Sequence, residues 1–318
     1  MENLVQQLMF SASITGPICL MLMLGVFLKR INLINENFID VASKIVFEVT
    51  LPTMLFLSIV SSNHDFSSST KLIAYGVVAN FLFFLLTTFV TRKTFSKPRD
   101  RGVIIQGAFR ANTAIIAIAY VANAYGNTGV ALAAIYVASM TLLYNIQAVF
   151  ALTIKNDHKG TSTSKIIFRT LTRNPLIIAI LLGILFYSAS LPIPQVVTDA
   201  GRYLANMTLP LALLCTGGSL DLKALKEDNL SAWYATGFKL VLAPVLTTLG
   251  ALLFGFRGME LGLVFLMSSA PTAAASYVMA RAMGGNPTLA ANIIGLTTIF
   301  SLFSCTLGIF LLSTFNLM

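Results

Sequence analysis

Residues 268–277 read Ser-Ser-Ala-Pro-Thr-Ala-Ala-Ala-Ser-Tyr and lie inside an apolar segment long enough to span a bilayer. Pro271 has no backbone N–H, and its ring clashes with the carbonyl of Met267, four residues earlier. In hydrocarbon a freed carbonyl must find another partner, so a broken helix survives where it is buried in protein or lines a wet cavity. The stretch therefore predicts either a tolerated proline kink or a break that holds an ion or a ligand.

The composition indicates a helical membrane protein. The 318 residues are 56% hydrophobic and 10% charged, with a mean hydropathy of +0.82. The net charge of +9 is concentrated in a few loops, so it indicates membrane topology and not binding to nucleic acid. The three cysteines have no metal or disulfide spacing, and no HExxH motif, aspartate-rich diphosphate motif or nucleophile elbow is present. We expect no enzyme activity, no metal and no cofactor.

Apolar runs of the length that a bilayer requires predict an all-α polytopic protein with ten transmembrane helices. The loops after the odd-numbered runs hold fifteen of the 21 basic residues. Cytoplasmic loops are enriched in Lys and Arg, so we expect both termini to lie outside a bacterial-type inner (plasma) membrane. The predicted runs are 8–28, 38–61, 71–92, 102–123, 129–154, 174–190, 195–219, 230–254, 258–282 and 288–314.

The two halves of the chain match in one register, with a shift of 158 positions. Because each half has five runs, the second copy must enter the membrane from the opposite side, which is typical of secondary transporters. The expected units are a first repeat (1–154), a cytoplasmic linker loop (155–173) and a second, inverted repeat (174–318). The matching pairs are Pro17 with Pro175, Gly25 with Gly183, Lys44 with Arg202, and Thr50-Leu51-Pro52 with Thr208-Leu209-Pro210.

The same shift places Ala270-Pro271 over Asn112-Thr113. We therefore expect the fourth and ninth runs to be broken helices that cross near the middle of the membrane. The ends of the half-helices should face a shared cavity.

Several side chains near these breaks are candidates for substrate binding. Asn112 offers an amide donor, and Arg110 either binds a carboxylate or reaches back to the cytoplasmic interface with Arg99 and Arg101. Lys239 either pairs with a carboxylate or contacts substrate. Thr272 is expected to cap the second half-helix. The candidates after the proline are the amides of Thr272, Ala273 and Ala274, which suit an anion, and the hydroxyl of Tyr277.

The second run contains three ionisable residues, Asp40, Lys44 and Glu48, with a spacing of four. This spacing places them on one helical face. They are either a site that couples protonation to substrate binding or a ladder whose side chains reach interfacial water.

Four blocks of the sequence resemble the auxin efflux carrier family, which includes the plant auxin exporters and bacterial permeases for malonate or malate. The resemblance covers essentially the whole chain, and its most specific block follows the opening stretch. The family implies two inverted five-helix repeats related to sodium/proton antiporters and bile-acid symporters. It also implies a scaffold and a transport domain, with elevator-type movement of a crossover that carries an organic anion. The blocks are Thr-Leu-Pro-Thr-Met-Leu-Phe (50–56), Arg-Ala-Asn-Thr (110–113), Lys239-Leu240 with Pro244, and 270–287, which ends Met-Gly-Gly-Asn-Pro.

The resemblance also implies roles for particular residues. Asn112 looks like the family asparagine that contacts the substrate carboxylate, and Asp40 with Lys44 looks like the family's supporting site. One position departs from the family pattern, because Ala119 stands where members usually carry the crossover proline. The sequence therefore encodes the break in the fourth run less firmly than the break at Pro271.

Together these features predict a secondary transporter of a small organic anion, either a mono- or a dicarboxylate. The coupling ion is a proton or sodium, or transport is driven by membrane potential alone. We expect a lipid environment, and such scaffolds often form homodimers. The alternatives are a cation/proton antiporter on the same fold and a membrane sensor without flux. The antiporter would need paired carboxylates at the crossover, and the fourth and ninth runs have none except Glu260 at one end.

Overall fold

The computed structural model describes residues 2–61, 70–152, 175–220 and 230–318. The predicted linker loop at 155–173 lies outside these ranges. The helices are α1 (Glu2–Arg30), α2 (Glu36–Ile45), α3 (Leu51–Val60), α4 (Thr70–Thr94), α5 (Pro98–Phe109), α6 (Ile118–Leu152), α7 (Pro175–Ser188), α8 (Gln195–Gly218), α9 (Leu230–Gly237), α10 (Ala243–Leu253), α11 (Gly258–Ser269), α12 (Ala275–Ala282) and α13 (Pro287–Thr314). Three π-helical turns lie between them, at Val46–Thr50, Thr113–Ala117 and Phe238–Leu242.

In the described ranges, 6 helical stretches are long and apolar enough to cross a membrane. One of them, Thr113–Leu152, has 40 residues. A straight helix of that length would be about 60 Å long, roughly twice the hydrocarbon thickness of a bilayer. At Gly126, φ is 59° and ψ is −151°, which interrupts the helix. The stretch therefore consists of two helical segments that meet at this glycine. The crossing stretches are Val5–Arg30, Glu36–Val60, Thr70–Thr94, Thr113–Leu152, Leu230–Leu253 and Pro287–Thr314.

Two of the π-helical turns have a local cause in the sequence. Pro52 and Pro244 lie in the first turns of α3 and α10, where the missing N–H leaves a carbonyl four residues earlier without its usual donor. Immediately before each proline the backbone bonds one residue further back, from the Leu51 amide to Val46 and from the Ala243 amide to Phe238. Such π-bulges are frequent at functional sites.

The helices pack in two groups. In the first group, α1 lies against α8, and α3 lies against both α7 and α8. Glycines allow the close approach of α1 and α8: a Cβ on Gly25 would meet the carbonyl oxygen of Leu214, and one on Gly217 would meet that of Leu22. The second group contains α4, α5 and α9–α13. The long helix α6 contacts members of both groups, and α13 also packs against α1. Phe109 and Tyr120 are the largest aromatic residues fully buried in the core.

The close approach at Gly25 predicts a specific stability difference. Gly25→Ala should lower the stability of the fold by about 1–3 kcal/mol, because the methyl group would overlap the backbone of α8. Gly16→Ala, on the same helix with no atom within 4 Å of the added Cβ, is the matched control and should be neutral or stabilising. Thermal unfolding in detergent measures both. Equal melting temperatures for the two variants would contradict this account of the α1–α8 contact.

Candidate functional site

The ninth predicted run is interrupted at the opening stretch. Helix α11 ends at Ser269, Ala270 is extended with φ −60° and ψ 145°, and α12 begins at Ala275. Pro271 and Thr272 are both buried in the interruption. The break separates the last carbonyls of α11 from their usual amide donors, so each needs another partner.

The fourth predicted run is also interrupted, although it contains no proline at that point. Helix α5 ends at Phe109, and Arg110 is extended with φ −83° and ψ 102°. Asn112 has φ −78° and ψ 67°, and the next turn begins at Thr113. Ala119, the position that lacks the family proline, lies seven residues beyond Asn112 inside α6 and is buried. The interruption therefore lies at residues 110–112 and not at Ala119.

The two interruptions pair with each other through their backbones. The Asn112 amide donates to the carbonyl of Pro271 at 2.7 Å, and the Ala273 amide donates to the carbonyl of Arg110 at 3.1 Å. Ala111 and Thr272 thus form an isolated antiparallel bridge. Each break supplies partners for backbone groups that the other has freed, which explains how the fourth run stays open without a proline.

Thr272 connects this pair to its surroundings. Its hydroxyl donates to the carbonyl of Gly107 on α5 at 2.7 Å, and its amide donates to Oγ1 of Thr297 on α13 at 3.1 Å. The hydroxyl therefore makes a contact other than the predicted helix cap, and α12 begins without a side-chain cap. Two of the three amides predicted to face an anion, those of Thr272 and Ala273, donate to protein acceptors in this conformation.

Arg110 is a buried cation whose partners in the described part of the chain are neutral. Its side chain is 8% exposed. One guanidinium nitrogen donates to Oδ1 of Asn145 at 3.0 Å, and the other lies 2.8 Å from the sulfur of Met279. The ion pairs of the described residues, Lys29–Glu36 and Arg202–Asp199, do not involve it. The side chain thus points into the protein and does not reach the interface with Arg99 and Arg101.

Lys239 is a second buried cation beside the break, only 2% exposed. Its ammonium donates to the carbonyl of Ser268 at 2.8 Å. That carbonyl is one of those freed by the break, since its usual donor, the Thr272 amide, bonds to Thr297 instead. The positive charge also lies at the negative end of the α11 dipole, which is a favourable position for a cation. Among the two predicted roles for Lys239, pairing with a carboxylate is not observed within the described chain.

Tyr144 lies beside Arg110 and lines the same small cavity as Lys239. Its hydroxyl lies near the Arg110 guanidinium and forms a hydrogen bond with the backbone of Ala111. It also lines, with Lys239 and Asn80, a small enclosed cavity of about 20 Å³. Such a volume suits one water molecule. The buried Oδ1 of Asn80 has no hydrogen-bond partner among the described residues, so the cavity that Lys239 also lines offers a free acceptor.

Other predicted site residues lie apart from this cluster. Asp40, Lys44 and Glu48 are exposed, and none of them forms an ion pair in the described part of the chain. The π-helical turn that begins at Val46 also alters the spacing that was to place Glu48 on the same face. Ala274, immediately before α12, and Tyr277, within it, are exposed, whereas Asn112 is buried beside Pro271. The structure thus brings together Arg110, Asn112, Pro271, Thr272 and Ala273.

Some contributing residues were not predicted from the sequence. Asn145 and Asn80 are polar residues inside apolar helices, a signal that marks functional positions in membranes and could have indicated them. Thr297 has no comparable signal, because threonines are common in such helices and bond to their own backbone.

The Thr297 contact predicts a stability effect at the crossover. Thr297→Val should cost about 1–3 kcal/mol, because the buried amide of Thr272 would lose its acceptor. Thr298→Val is the matched control, since the Thr298 hydroxyl bonds only to the carbonyl of Ile294 in its own helix. Thermal unfolding should separate the two variants by several degrees. Equal melting temperatures for Thr297→Val and Thr298→Val would show that the contact between Thr272 and Thr297 does not stabilise the fold.

Comparison with known proteins agrees with this architecture. The sequence profile of a membrane transport protein family matches residues 15–309. An uncharacterized transporter from Methanothermobacter thermautotrophicus is 24% identical over 294 residues, covering 91% of this chain and 94% of the relative. A second uncharacterized transporter, from Methanocaldococcus jannaschii, is 25% identical over 296 residues, covering 90% and 93%. With its apolar helices, the chain is an integral, multi-pass membrane protein that belongs to the membrane transport protein (auxin efflux carrier) family.

Proposed function

We propose that this transporter moves a small organic anion, a mono- or dicarboxylate, and that the anion binds at the crossover of the two broken helices. The observation that carries the proposal is the pair of buried cations beside the crossover. Neither Arg110 nor Lys239 has a carboxylate partner among the described residues. A cation/proton antiporter would instead need carboxylates at this position.

Electrostatic magnitudes support an anionic ligand. Removing an ion from water costs several kcal/mol even after the protein relaxes. The α11 dipole stabilises the charge of Lys239 by at most about 2 kcal/mol. Among the described residues, Arg110 has an amide oxygen and a thioether as its partners. A bound carboxylate would supply the missing negative charge. A guanidinium can bind a carboxylate through two parallel hydrogen bonds, so Arg110 is the better candidate for direct contact.

Asn112 is the second proposed contact. Its backbone is fixed by the bond to Pro271, while its side-chain amide makes no hydrogen bond to the described residues. It lies two residues from Arg110, at the pair of breaks. An amide donor in this position could orient a carboxylate without adding another charge to the buried site.

The arrangement of the helices supports the inverted-repeat architecture with ten transmembrane helices. A shift of 158 residues places α1 over α7 and α3 over α8. The contact of α1 with α8 therefore corresponds to the contact of α7 with α3, and both contacts are present. The matched glycines behave alike: Gly25 lies against α8, and Gly183 lies against Ile59 of α3. We propose that the group containing α1, α3, α7 and α8 is the scaffold. The crossover group would then move against it as an elevator, with both termini outside the cell.

Coupling is proposed to involve protons at Asp40, with transport driven by membrane potential alone as the alternative. Asp40 is exposed in α2 and has no ion-pair partner among the described residues. Tyr277 and Ala274 remain proposed contacts for a bound substrate, because their exposed positions at the start of α12 follow the crossover directly.

A flux assay on proteoliposomes tests the proposed substrate class. The purified protein should show saturable uptake of at least one carboxylate from a panel of mono- and dicarboxylates. Arg110→Gln and Asn112→Ala should each lower that uptake at least about ten-fold, the effect of losing roughly 1.4 kcal/mol of binding. Arg202→Gln, which removes an exposed arginine paired with Asp199, is the control and should leave uptake unchanged. The absence of saturable flux for every carboxylate, with or without a pH gradient, would refute the proposal.

The burial of Lys239 predicts that one substitution there lowers uptake much more than it lowers the stability of the fold. Lys239→Met should melt within a few degrees of the wild type, because removal of a desolvated charge from the core offsets the cost, about 1–3 kcal/mol, of leaving the Ser268 carbonyl without its donor. Uptake should nevertheless fall about ten-fold or more. A variant that is strongly destabilised but retains full uptake per folded molecule would show that Lys239 serves only to satisfy the Ser268 carbonyl.

A further inference from the structure

A second feature lies on the outer surface, away from the crossover. Helices α4 and α10 border an apolar groove of about 780 Å³. The part of α4 that lines it runs from Lys71 to Leu86, which corresponds to a length of about 22 Å. One leaflet of hydrocarbon is about 15 Å thick. The groove is therefore long enough to hold an extended acyl chain.

One end of the groove is charged, whereas its middle is apolar. Val78, Leu82 and Leu246 line the middle. At the charged end, Lys71 is exposed and has no ion-pair partner within the described ranges. The end near Lys71 is therefore the charged end of an otherwise apolar surface.

Aromatic rings surround the charged end. The ring of Tyr75, one turn after Lys71, lies 5.5 Å from that of Phe254 and 5.3 Å from that of Phe256. The exposed Arg257 follows directly, and one of its nitrogens donates to the carbonyls of Leu252 and Phe256. Glu260, the acidic residue nearest to Arg257 in the sequence, forms no ion pair with either cation in the described chain. Aromatic residues with free cations are typical of the depth at which lipid headgroups lie.

We propose that this groove binds an anionic phospholipid. Its acyl chain lies between α4 and α10, and its phosphate contacts Lys71, with Arg257 beside it. Charge favours this occupant over a second copy of the chain. A two-fold dimer about the membrane normal would place two Lys71 ends at the same depth, facing each other.

Lipid retention can be measured directly. The purified protein in detergent is mixed with phosphatidylglycerol and phosphatidylcholine of identical acyl chains, and bound lipids are counted by native mass spectrometry. The wild type should retain phosphatidylglycerol preferentially. Lys71→Gln should reduce that preference about five-fold, the effect of one basic residue near an anionic surface. Lys93→Gln, at the opposite end of the same helix, is the matched control and should retain the preference.

A groove-filling variant tests the acyl site independently of charge. Ala74→Trp should lower the retention of both lipids, whereas Leu85→Trp, an exposed residue on α4 that does not line the groove, should not. All four substitutions are at exposed positions, so folding should be preserved. Equal effects of Lys71→Gln and Lys93→Gln would overturn the proposal. So would unchanged retention in Ala74→Trp, or a change from dimer to monomer in that variant without loss of lipid.

Discussion

The antiparallel backbone pair between residues 110–112 and 271–273 is the contact on which the crossover depends. Two helices end inside the apolar core of the protein, where their free amides and carbonyls cannot bond to lipid. The pair satisfies the amides of Asn112 and Ala273 reciprocally. The Thr272 amide and the Ser268 carbonyl then turn to partners on neighbouring helices, Thr297 and Lys239. The contact therefore fixes the positions of several elements at once.

This arrangement gives two cations different roles. Lys239 donates to the Ser268 carbonyl at the end of α11 in place of a backbone amide. The π-helical turn that carries Lys239 precedes Pro244, whose missing N–H leaves the Leu240 carbonyl without its usual donor. Arg110 replaces no backbone group, and its neutral partners leave most of its charge uncompensated. An anion bound near Arg110 would therefore gain more than one bound near Lys239. The choice of Arg110 for direct contact with the anion depends on this difference between the two cations.

The sequence predicted the break at Pro271 from local chemistry, because proline removes a donor wherever it occurs. The break at residues 110–112 has no such local cause. It was predicted from the 158-residue repeat, and its physical basis is the partner segment 271–273. The contact of Thr272 with Gly107 and that of Lys239 with Ser268 could not be predicted, since they depend on how separate helices pack. The prediction that Asp40, Lys44 and Glu48 share one face requires a regular α-helix. The π-helical turn near Pro52 begins before Glu48 and changes the direction in which that residue projects.

The central claim is that the paired breaks present Arg110 and Asn112 to an organic anion. A cryo-electron microscopy structure in lipid nanodiscs, with a saturating concentration of the carboxylate that is transported best, tests it most directly. In that structure, both helices should remain interrupted at residues 110–112 and 270–274. Ligand density should lie within hydrogen-bonding distance of the Arg110 guanidinium and the Asn112 amide. A continuous helix through either segment, or a carboxylate bound away from both side chains, would contradict the claim.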